Sequence, residues 1–184
     1  MPTGLRSRRC QPRRCIVVRT IDESLDAIGA EYASADAATV TEQDRRLWAR
    51  FARYNASEAN ILRRTLTIIE TDNPEPYASS IEQSADIGRG VFYVSRAFCT
   101  HPVWTVSQNV DFRIAHDILG HHAIGGGFDR AGEIAVYRYS LGVVPAEFHA
   151  ALFTESIGQL AYAVASGDFG PQKVFRSHYF GKVI

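Results

Sequence analysis

The chain has 184 residues, of which 46% are hydrophobic, 11% aromatic and 22% charged. That profile excludes collagen-like, disulfide-scaffold and wholly disordered classes and fits one globular domain with a sizeable core. Lys plus Arg balance Asp plus Glu at 20 each, so no overall charge points to nucleic acid or membrane, and no apolar run approaches the roughly 20 residues of a spanning helix.

Charge is uneven along the chain. Arg6, Arg8, Arg9, Arg13, Arg14 and Arg19 precede the first acid, Asp22, so residues 1–19 are expected to form a basic, disordered arm. Contact with nucleic acid is expected only through that arm, and no membrane contact is expected. Ile16-Val17-Val18 is too short for the apolar stretch of a secretory signal. Cys10, Cys15 and Cys99 are odd in number and lack a CxxC spacing, so reduced thiols in the cytoplasm are expected.

Residues 20–184 are expected to form a single mainly helical domain (α+β at most). One or two short strands are expected, with a metal site between helices and its core over 90–166. Residues 20–37 carry a weak helical period. Thr41-Glu42-Gln43-Asp44 reads as a helix start, followed by Leu47, Trp48, Phe51 and Tyr54 at helical spacing. A further helix is predicted over 57–70, ended by Asn73-Pro74-Glu75-Pro76. Val91-Phe92-Tyr93-Val94 is a strand candidate. Helices are then predicted over 107–121, over 130–141 and from Pro145 to about Ser166. Weak strand character is assigned to 173–184.

The chemistry concentrates in Ala115-His116-Asp117-Ile118-Leu119-Gly120-His121-His122, which holds three of the six histidines. Imidazole is the commonest protein ligand for a metal. His116 and His121 are five residues apart, and a regular helix would splay them by about 140°. They converge only if the helix bulges or unwinds before His121, and Gly120 is placed to permit that. Without a metal, the same histidines would serve as caps at a helix C-terminus. On the helix from Pro145, Glu155 and Gln159 interrupt an otherwise apolar stripe. A buried carboxylate needs a cation or a partner. Arg138 would be the ordinary partner and the two imidazoles the functional one, with Glu133 as the competing carboxylate.

From Phe92 to Tyr162 the chain resembles the iron-binding core of the pterin-dependent aromatic amino acid hydroxylases. His116-Asp117-Ile118-Leu119-Gly120-His121 is similar to that family's His-Glu-x-x-Gly-His helix. Phe153-Thr154-Glu155-Ser156-Ile157-Gly158 is similar to its Phe-Thr-Val-Glu-Phe-Gly phrase, 34 residues after His121. Trp104-Thr105 and Gly132-Glu133-Ile134 add weaker echoes. The resemblance implies a two-His-one-carboxylate triad of His116, His121 and Glu155 on Fe(II), with positions open to dioxygen and a small-molecule substrate. It implies Asp117 in place of the Glu beside the first ligand, where it would orient pterin and water. Asp117 and Glu133 are thus the candidate catalytic carboxylates. Arg96 is a loose match to the arginine that holds the substrate carboxylate. The family's aromatic pair before the ligand Glu falls on Ala150 and Ala151, which leaves the use of pterin open.

The function expected first is therefore that of a non-haem Fe(II) monooxygenase-like enzyme, with Zn or Mn as alternative metals. A divalent-metal hydrolase is the second expectation, because His116-Asp117 is also similar to the dyad of HD-type phosphohydrolases, and it ranks lower because His101, the candidate for that family's upstream histidine, lies only 15 residues before His116. A non-catalytic helical interaction module is the third. No role is assigned to His122, His149 or His178.

Overall fold

Side-chain capping sets where the helices begin. The computed structural model describes residues 19–36 and 39–183. The arm expected over 1–19 lies outside the described residues except for Arg19, which forms an isolated parallel bridge with Val183. Thr20 accepts from the Glu23 amide while the Glu23 carboxylate accepts from the Thr20 amide, which starts α1 (Ile21–Ser34). The same reciprocal pair, Thr41 with Asp44, starts α2 (Glu42–Leu62).

The helix predicted over 57–70 does not exist as such. Residues 57–62 continue α2, the chain turns, and Thr67-Ile68-Ile69-Glu70-Thr71 forms β1 (Thr67–Thr71). Four of these five residues are β-branched and favour the extended backbone. After the proline segment, α3 (Ser80–Gly88) carries the chain back to β2 (Val91–Ser95), which pairs in parallel with β1. Parallel strands need such a crossover.

Thr105 and Gln108 cap α4 (Val106–His116), which continues as a π-helix over Asp117–His122. Asp129 caps α5 (Arg130–Val143). Pro145 opens a 3-10 turn, Ala146–Phe148, and the last long helix comes next as α6 (His149–Phe153), a π-helix over Thr154–Gly158, and α7 (Gln159–Ser166). Among the described residues the tail forms no strand where weak strand character is expected, only a turn over 178–182 and the bridge at Val183. The domain is mainly α, as expected, and no helix among the described residues is long and apolar enough to cross a membrane.

Among the described residues, two apolar clusters form the core. The larger joins α1, α2, α5 and the last helix through residues such as Leu25, Phe51, Tyr137 and Ile157. The smaller joins α3, β2 and α4 through Ile87, Phe92, Val110 and Ile114. Helix α4 contributes to both, with Phe112 in the larger. Its C-terminal end, where the histidines lie, is therefore held on both sides.

The end of α1 is capped from the tail. Its last turn holds no basic residue. Buried Lys173 supplies the charge instead, its Nζ donating to the carbonyls of Tyr32, Ala33 and Ala35 at 2.8, 3.0 and 2.8 Å. Replacing Lys173 with Met keeps most of the volume and orphans those carbonyls. A loss of about 2 kcal/mol is expected, read from the midpoint of urea unfolding.

Candidate metal centre

The winding of α4 makes the site. In the π-helical stretch the backbone bonds from i to i+5, which brings residues five apart onto one side of the helix. His116 and His121 accordingly face each other, with ring centroids 5.0 Å apart and planes at 78°. The bulge that the spacing calls for is present, but Gly120 does not end the helix. A Cβ on Gly120 would lie 2.6 Å from Cγ1 of Val136, so the missing side chain lets α5 approach closely. The left-handed residue that stops the helix is Gly125, at φ +67°.

That close approach delivers the carboxylate. Glu133, in the first turn of α5, points one oxygen at each imidazole. His121 Nε2 lies 3.2 Å from its Oε1, and His116 Nε2 lies 3.6 Å from its Oε2. One ligand atom from each of the three residues falls within 4.8 Å of the others. Donors about 2.1 Å from a common ion are separated by roughly 3.0 Å at right angles and roughly 3.4 Å in a tetrahedron. The two N–O separations, 3.2 and 3.6 Å, lie on either side of the tetrahedral value and both exceed the right-angle one. The three residues could therefore hold a divalent ion with only small adjustment.

The backbone also selects which ring nitrogen is offered. His121 Nδ1 lies 3.2 Å from the carbonyl oxygen of Gly126, to which it can only donate. The Nε2 of a neutral His121 then carries a lone pair aimed at the centre, the usual outer contact of a ligating histidine. Phe128 packs edge-on against His121, and Phe112 stacks on His116. Both rings are thus fixed in position by apolar neighbours.

In the metal-free protein the same groups form a charged network. Burial alone would raise the Glu133 carboxyl, but hydrogen bonds from His116 and His121 outweigh it and hold it down at about 2. Burial would lower His121, but Glu133 reverses this and raises it above the usual 6.5. A lowered carboxyl stabilises the fold above its unfolded value of 4.5 and loses that contribution as pH falls. A raised imidazole stabilises below 6.5 and loses its contribution as pH rises through the folded value. The network therefore contributes most between pH 4.5 and 6.5. Urea midpoints of the metal-free protein are expected to fall from pH 4.5 toward pH 2, and to fall less in Glu133→Gln.

Glu155, the third ligand implied by the resemblance, is not in this group. Its buried carboxylate places Oε1 3.5 Å from Nε2 of His101 and accepts at Oε2 from Gln159 Nε2 at 2.7 Å. His101 is no ligand either. Its Nδ1 accepts from the amides of Val103 and Trp104, at 3.2 and 3.0 Å, which leaves the ring proton on Nε2. The upstream histidine of the hydrolase expectation is thus committed to the core between Trp48 and Trp104.

Asp117 lines the same pocket as the triad, with Gln83 Nε2 3.5 Å from its Oδ2. Burial raises its carboxyl, opposed by His116 and His121. Arg96 is not a pocket residue. It comes directly after β2, is half exposed and faces Glu70 at 3.7 Å. The cation in the pocket is Arg113, one turn before His116, whose Nη1 donates to the Ser95 carbonyl at 3.0 Å. Helical spacing from His116 was the signal that could have found it. His122 meets the Ser84 hydroxyl, His149 meets the Val144 carbonyl at the end of α5, and His178 pairs with Glu31.

The pocket in front of the triad has a volume of about 500 Å³, within the range of small-molecule sites. Tyr77, Phe98, Phe128 and Phe169 supply aromatic walls, and Gln159 and Gln172 add amides. Compared with protein-family models, with curated proteins and with solved structures, the chain matches none of them.

Proposed function

We propose that this protein is a non-haem Fe(II) oxygenase acting on a small organic substrate, with His116, His121 and Glu133 as a facial two-His-one-carboxylate triad. The convergence of those three donors within 4.8 Å, beside a cavity of about 500 Å³, is the observation that carries the reading. Bound Fe(II) would supply the activation of dioxygen. The chain supplies the rest. The Gly126 carbonyl accepts from His121 Nδ1 and so turns Nε2 toward the triad, and Tyr77, Phe98, Phe128 and Phe169 offer apolar contact to a bound substrate. Asp117 stands where it can hold or move a proton beside the triad. The resemblance contributes the metal and the reaction class to this proposal. Pterin is not part of the proposal, because Ala150 and Ala151 stand where the family's aromatic pair would pack on it. A cytoplasmic setting belongs to the same reading, since Fe(II) and the free thiol of Cys99 both persist under reducing conditions.

The test is anaerobic loading with Fe(II), Zn(II) and Mn(II) in parallel, then metal analysis and oxygen-uptake measurements with a panel of small aromatic compounds. One Fe(II) per chain and substrate-dependent oxygen uptake are expected. Turnover of phosphodiesters with Mn(II) and no oxygen dependence would replace the oxygenase with a hydrolase. Failure to retain any of the three metals would leave an interaction module.

A further inference from the structure

The carboxylate of Glu155 is 1% exposed and the ring of His101 is fully enclosed. Burying a carboxylate costs several kcal/mol unless its partners repay it, and neither residue belongs to the triad. Their arrangement has a direction. The Val103 and Trp104 amides fix the His101 ring with its proton on Nε2, facing Glu155 Oε1. The other oxygen, Oε2, accepts from Gln159 Nε2 at 2.7 Å. A glutamine amide has one donor end and one acceptor end, and a carboxylate can take only the donor end. Glu155 therefore fixes which way the Gln159 amide points. Gln159 is also a wall of the pocket that holds His116, His121 and Glu133.

We propose that Gln159 is a specificity-determining residue, whose amide oxygen accepts a hydrogen bond from an N–H or O–H donor on an aromatic substrate, and that Glu155 with His101 is the buried device that keeps that oxygen available. The chemistry of the pocket fits this. Its aromatic walls favour flat apolar rings, and an amide held by one N–H on Glu155 keeps a fixed orientation in which its oxygen is offered as an acceptor. A site built around a donor penalises a ligand that lacks one, because the acceptor is then desolvated without a partner. The inference rests on the pocket being a substrate site, as proposed above.

The test uses two probes of nearly equal size, indole with its N–H and benzothiophene without a donor. Affinities are measured by calorimetry on the full chain, metal-free and Fe(II)-loaded under anaerobic conditions. Wild type is expected to favour indole at least tenfold. Gln159→Leu is expected to abolish that preference while retaining one metal per chain. Glu155→Gln, which lets the Gln159 amide turn over, is expected to reduce it several-fold with benzothiophene binding unchanged. A merely structural role for Glu155 would weaken both probes together. Equal binding of the probes by wild type, binding of neither, or a preference that survives Gln159→Leu overturns the inference. Loss of metal binding in wild type, with the indole preference intact in the metal-free protein, would sink the oxygenase and leave this assignment standing.

Discussion

Glu133→Gln is expected to lower Fe(II) or Zn(II) affinity by at least about 100-fold, whereas Glu155→Gln leaves one metal per chain. Removal of an outer contact of a metal site commonly costs 10–100-fold, and Glu133 is proposed as a ligand. The substituted amide retains the shape of the carboxylate and one oxygen, but it loses the charge that opposes a divalent ion between two neutral imidazoles. Glu155 lies against His101 and Gln159, so its substitution leaves the donor set intact. Metal analysis after anaerobic loading and gel filtration, with competition against a chelator of known affinity, reads both variants. Equal loss in the two would restore Glu155 to the triad. Retention in both would remove the carboxylate from the site altogether.

Gly132→Ala is the second large effect. A Cβ at this position would lie 2.0 Å from the carbonyl oxygen of Gly127 and 2.6 Å from its carbon. Those atoms are backbone, so either the 125–127 loop or the start of α5 must shift. Overpacking of this kind costs about 1–3 kcal/mol and occasionally more. The loop carries the Gly126 carbonyl that orients His121, and α5 carries Glu133. Metal affinity is therefore expected to fall together with stability. Gly142, on the same helix, has nothing within 4 Å of its Cβ position, and Gly142→Ala is expected to stabilise by about 0.5–1 kcal/mol. Thermal unfolding of the two metal-free variants, run side by side, separates a clash at one glycine from any general effect of alanine in α5. Equal melting temperatures would show that the approach of α5 to the loop is loose.

The histidine pair is legible because its spacing of five conflicts with a regular helix, and only a widened turn resolves the conflict. The structure supplies that turn at Asp117–His122. The partner carboxylate is harder to read. Glu155 is buried, as its place in an apolar stripe indicates, but its neighbour His101 lies in a distant connector that helical periodicity does not describe. The last helix also widens at Thr154–Gly158, so a wheel drawn at constant pitch misplaces the side chains of α7. Glu133 has a local signal, an acid beside a glycine just after a glycine-rich loop. The sequence does not reveal that Gly132 packs on that loop and so aims its neighbour. At residues 67–71 the apolar spacing of Leu66 and Ile69 suits a helix, while the β-branched run decides for a strand.

The widened turn in α4 has an elastic consequence. Both ends of this helix are pinned, by the Thr105 cap at one end and by Gly125 at the other. Removing one residue between His116 and His121 would let the widened turn relax to regular pitch and leave the imidazoles four positions apart, a spacing that still puts both on one side of a helix.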